Sequence, residues 1–202
     1  MLTLQENIMT DPEDIEMFYY KAYDYVLKEG YGHESEWCRN VYFANMTKED
    51  FQWEYVFAVL SSSGLQNQIV QKNFNKFCDA YHNGENAYDT VKNGRQKIAI
   101  MHVWANLDKI FEMLQSQPTD EEKIEYLDTL PQIGPKAKKH LARNLGIDCV
   151  KPDRHMERLA ERFGYESPDA MCLDIQRKLP VKERSGVIDV VLWRYCNLTG
   201  GN

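Results

Sequence analysis

Apolar side chains recur along this chain at intervals of three and four, and no stretch alternates apolar and polar residues for long. The pattern predicts helices throughout and an all-α fold. Ile15, Phe18, Ala22, Tyr25 and Val26 share one face of a helix from Asp14 to Lys28 that stops ahead of Gly30. Thr47 is placed to cap KEDFQWEYVFAVLSSS, whose run from Tyr55 to Leu60 reads as buried helix. After a turn at Ser63-Gly64-Leu65, QNQIVQKNFNKFCDAY sets Ile69, Val70, Phe74 and Phe77 on one face. GRQKIAIMHVWANLDKIFEMLQS reads as one or two helices, and TDEEKIEYLDTL opens on a capping box formed by Thr119 and Glu122. VKERSGVIDVVLWRYCNL reads as a closing helix packed on the body, although VIDVVLW alone is compatible with a strand.

With 202 residues, 43% of them apolar and 27% charged, the chain has enough material for one good core, or for two small lobes sharing a cleft. No internal repeat or low-complexity tract divides it. The first residues lack a basic stretch followed by an apolar run, and no long apolar segment follows, so an intracellular, non-membrane protein is expected. Cys38, Cys78, Cys149, Cys172 and Cys196 are odd in number and form no C-x-x-C pair, which points to reduced thiols and away from a metal cluster. His33, His82 and His102 lack partners at metal-ligand spacing, and there is no phosphate-binding or dinucleotide glycine loop. The net charge of −7 opposes nucleic-acid binding by the whole surface. It does not exclude a local cationic patch, because fields are screened within roughly 8 to 10 Å at physiological salt. Lys and Arg outnumber acids between Pro135 and Arg162, whereas the first fifty residues are acidic.

That basic segment begins with Leu130-Pro131-Gln132-Ile133-Gly134-Pro135-Lys136, a turn between two helices. Pro135 suits the first helical position, Gly146 ends the helix, and the unpaired amides at its start form an anion site. On a helical wheel Ala137, Leu141 and Leu145 fall in one arc, and Lys136, Lys139, His140 and Arg143 in another. The second arc is expected to be a DNA-backbone footprint. Further on, Pro152 imposes a non-helical approach and Asp153 caps a helix running to Phe163 and closed by Gly164.

These residues resemble the helix-hairpin-helix DNA glycosylase superfamily, which includes endonuclease III and the 8-oxoguanine glycosylases. Leu130, Pro131, Ile133, Gly134 and Lys136 match the hairpin, and Asp153-Arg154-His155 match the second motif, 17 residues beyond Lys136. A weaker match at VFAVLSSSGLQNQIVQKNF extends the resemblance over about Phe51 to Phe163. Gln132 departs from the family's glycine, and Lys138 stands where a small residue is usual. The resemblance implies a single unit over residues 1–202, a helix-hairpin-helix at 121–146, and two helical lobes around one cleft. It implies no cofactor, since the four-cysteine iron-sulfur motif is missing, and a monomer acting on double-stranded DNA with an extruded base.

By the same resemblance Lys136 is the nucleophile of a glycosylase with lyase activity in base-excision repair, and Asp153 stabilises charge on the sugar. Lys136 must then be neutral near pH 7, which burial and the cations Lys139 and Arg143 are expected to favour. Gln132, Ile133, Gly134, Lys139, His140, Arg143 and His155 are the expected phosphate contacts. Gly64, Leu65 and Gln66 form the void-filling turn with Leu65 as wedge, and Trp193 or Tyr195 lines the base pocket. Two other outcomes stay open: a virus-type glycosylase-like enzyme of thymine hypermodification, and a non-catalytic DNA-binding protein.

Overall fold

The computed structural model describes residues 14–200. The N-terminal stretch read above as lacking an export signal lies mostly outside them. The described residues form eleven α-helices and two short 3-10 turns, with no strand. No helix among them is long and apolar enough to cross a membrane.

The capping signals act where the sequence places them. Asp14 caps α1 (Ile15–Lys28), and Thr47 with Asp50 forms a capping box at α3 (Lys48–Ser61). Thr119 with Glu122 does the same for α7 (Asp120–Asp128). Residues 94–115 divide into α5 (Gly94–Ala105) and α6 (Leu107–Gln115), with the break at Asn106. VIDVVLW is helical, within α11 (Ser185–Thr199). Two helices have no counterpart in the sequence reading. One is α2 (Gly32–Asn40), and the other is α10 (Pro168–Lys178), where Ser167 caps and Pro168 fills the first position.

Buried apolar side chains gather in two main clusters. The first draws on α3, α4 (Asn67–His82), α5, α6, α7 and α8 (Pro135–Asn144), with Phe51, Tyr55, Phe77, Ile100, Leu127 and Leu141 at its centre. The second packs α1, α9 (Arg154–Arg162), α10 and α11 around Phe18, Met156, Met171, Ile175 and Leu192. The segment after α8 joins them. Leu145, Ile147 and Cys149 belong to the first cluster, and Val150 already belongs to the second. Gly146 turns that segment with φ 83°, and a Cβ there would lie 2.6 Å from the backbone of Tyr42 and Phe43, so no other residue fits. All five cysteines are free thiols, and four of them are buried.

Candidate functional site

The turn before α8 is held from beneath. Leu130 and Ile133 are buried, the Ile133 amide donates to the Leu130 carbonyl at 3.1 Å, and the Tyr55 hydroxyl donates to the Pro131 carbonyl at 2.6 Å. This leaves Gln132 exposed at the apex with φ 61°, the only left-handed non-glycine residue among those described. The departure from glycine therefore leaves the tight turn intact, at a cost of about 1–2 kcal/mol of backbone strain. Gly134 caps α8 without a side-chain bond, and the amides of Gly134, Lys136 and Ala137 find no acceptor within the described residues. Three converging donors at a helix start favour an anion.

The basic arc of α8, expected as a DNA-backbone footprint, does not lie open along its whole length. Lys136 is exposed and its Nζ pairs with Glu157 of α9 at 3.0 Å, so the burial expected for this amine is missing. Lys139 pairs with Asp169 of α10 at 2.9 Å. His140 is half-buried with its ring 5.9 Å from that of Phe57, and burial, reinforced by Lys151 and Arg143, holds it far below its ordinary pKa. It is therefore neutral near pH 7 and supplies no charge to a phosphate. Arg143 is buried, and its Nη1 donates to Asp189 of α11, which is 1% exposed. Gly186 permits this approach, since a Cβ there would sit 3.2 Å from Arg143 Cγ and 3.3 Å from the Cys149 carbonyl. The wheel gives a direction, and α11 covers that direction in the last turn of α8. Lys138, out of place on the apolar arc, reaches Glu125 at 2.9 Å and Asp128 at 3.2 Å, both on α7.

Asp153 caps α9. Its Oδ1 accepts from the amides of His155 at 2.9 Å and Met156 at 3.1 Å, and Oδ2 has no bond among the described residues. The His155 ring is half-buried, with Nδ1 inaccessible and unpartnered. The hairpin and the start of α9 are thus neighbours, bridged by Lys136 and Glu157. Gly64, Leu65 and Gln66 are all exposed in the turn between α3 and α4, Gly64 with φ 71°. Ile69, read as part of the buried face of α4, is instead 43% exposed, four residues beyond Leu65, which is 48% exposed. Tyr195 is engaged elsewhere, with its ring 5.3 Å from Phe18 and 5.5 Å from Tyr25, so α1 occupies its face. Trp193 packs on the second cluster beneath the guanidinium of Arg194, 4.8 Å from its centroid.

Three polar residues enter the site that sequence reasoning did not mark. Asp189 accepts from Arg143 and, at 3.1 Å, from the Lys151 amide. Lys151 is half-buried, and burial together with Arg143 lowers its amine to about 8 against the opposing Asp153 and Asp189. Glu54 of α3 accepts from Asn144 at 2.8 Å, and burial raises its carboxyl to about 7. A lone carboxylate in VIDVVLW and a lysine between Val150 and Pro152 were the available signals.

No family model, curated protein or solved structure matches this chain.

Proposed function

We propose that this protein acts on DNA at an extruded base, as a glycosylase with lyase activity on a damaged or modified nucleotide, built on the two-lobed helix-hairpin-helix glycosylase plan. One observation carries the reading: the Lys136 amine at the hairpin meets Glu157, in the first turn of the helix that Asp153 caps, at 3.0 Å. The turn at Gln132 to Lys136 offers free amides to a phosphate, and the adjoining Asp153 keeps one carboxylate oxygen unbonded. A DNA strand lying across the hairpin brings a sugar towards Asp153. The exposed Leu65 is suited to fill the space that an extruded base leaves.

Chemistry then needs an amine to attack the sugar C1′ as the base departs, giving a Schiff base from which the strand is cut by β-elimination. The resemblance assigns this amine to Lys136, which would have to leave Glu157. The ion pair of Lys136 gives weight to a second reading, a DNA-binding protein in which Lys136 contacts phosphate and Asp153 is a cap alone.

Borohydride trapping separates the two. The protein is incubated with duplexes carrying 8-oxoguanine, thymine glycol, 5-hydroxymethyluracil or an abasic site, and the reductant is added. A covalent protein-DNA adduct supports the lyase, and the best-trapping duplex begins to identify the base. Binding without any adduct, the abasic site included, refutes the amine mechanism.

A further inference from the structure

The chain crosses between the two apolar clusters at Cys149 and Val150, and Lys151, Pro152 and Asp153 follow at once. Two bonds fix this corner: the Lys151 amide donates to Asp189 at 3.1 Å, and the Asp153 amide donates to the Lys151 carbonyl at 2.9 Å across Pro152. Lys151 and Asp153 are thus the two ends of one tight turn. The charges of Arg143 from α8, Asp189 from α11 and Asp153 from its own loop act on the amine, and Lys151 in turn acts on the neutral His140. Lys136, Lys138 and Lys139 each hold a carboxylate. The Lys151 amine makes no ion pair or hydrogen bond among the described residues. The Arg143 Nε and the Asp189 Oδ1 are buried and have no partner among the described residues, which leaves donor and acceptor capacity in this cluster.

We propose that Lys151, and not Lys136, supplies the amine that attacks the sugar C1′, with Asp153 as its carboxylate partner and Lys136 at the DNA backbone. This rests on the glycosylase reading above and reassigns its nucleophile. The nitrogen lone pair bonds to C1′ while the C1′–N bond to the base breaks, its electrons leaving with the base. The C1′–O4′ bond then opens as nitrogen forms the iminium. Counted from the ammonium, two of three protons leave, one to the departing base and one to O4′, and the single positive charge ends on the iminium. Asp153, at the other end of the same tight turn, is the carboxylate assigned to pass those protons. An amine lowered to about 8 is neutral in roughly one molecule in ten at pH 7, a few hundred times the share of an ordinary lysine.

The test is to digest the borohydride-reduced adduct of the unaltered protein on abasic duplex and locate the modified lysine by peptide mass spectrometry. The expected adduct lies on Lys151, and its initial rate of formation rises with pH and levels off above about 8. Lys151→Gln, which keeps the backbone bond to Asp189, should lower the rate at least a hundredfold while keeping the helical content and unfolding midpoint. An adduct on Lys136, or an unchanged rate in K151Q, overturns the inference and leaves the glycosylase reading standing. Absence of any adduct overturns both.

Discussion

Glu54→Gln isolates one energetic consequence of the polar cluster. The Glu54 carboxyl is sequestered beside Asn144, and burial raises it from its ordinary 4.5 to about 7, with Asp50 adding to the effect and the Asn144 amide and Arg143 opposing it. The folded state therefore holds a proton that the unfolded chain releases earlier. A carboxyl raised on folding contributes stability that is fully present below 4.5 and is lost as pH rises through 7. At about 1.4 kcal/mol per pH unit, the loss attributable to this group reaches about 3 kcal/mol by pH 8. Gln keeps the oxygen that accepts from Asn144 at 2.8 Å and removes the charge. Urea unfolding of both proteins between pH 4.5 and 8 should give nearly equal stabilities at the acid end, and E54Q more stable by about 2–3 kcal/mol at pH 8. Taking the difference between the two proteins cancels other titrations, His140 included. A difference that stays flat across this range, or that favours the wild type at pH 8, would refute the argument.

Three further outcomes follow from the geometry. Gln132→Gly relieves about 1–2 kcal/mol of left-handed strain and gives back about 0.4–1 kcal/mol through the freer unfolded chain, so the urea midpoint should rise by an amount equivalent to about 0.5–1 kcal/mol. Asp189→Ala leaves the buried Arg143 guanidinium without its carboxylate and the Lys151 amide without its acceptor, and should cost about 3–5 kcal/mol in denaturant unfolding. Leu65→Ala, at an exposed position, should change stability by less than about 0.5 kcal/mol. It should slow base release from duplex much more than from single strands, and equal slowing on both would remove Leu65 from the role of wedge.

Most helices are legible in the sequence because their caps and periodicity agree: Thr47, Thr119 and Asp153 each begin the helix they are placed to begin. The hairpin is legible for the same reason, since Pro135 and Gly146 punctuate α8. The short polar α2 escapes because only Ser35 and Cys38 are buried on it, too few to show a period. Helix α10 did carry a readable start in Ser167-Pro168. The site itself was only half legible. The free amides and the cap Asp153 could be placed from the residue pattern and Lys136 from the resemblance, but a wheel cannot say which neighbour covers a given turn. Lys136 lies open at the start of α8, whereas Arg143, near the same direction two turns later, lies under α11. The same limit hid Lys151 and Glu54, whose character comes from residues distant in sequence that fold around them.

Excision of an extruded base at Asp153 is measured most directly as the free base itself. Duplexes with a single modified nucleotide are incubated with excess protein, and the low-molecular-weight fraction is identified by mass. Release of one base is expected from at least one duplex, and is abolished in Asp153→Asn, which retains a side chain able to cap α9. Tight binding of every duplex with no base released, or release that persists undiminished in Asp153→Asn, would contradict it.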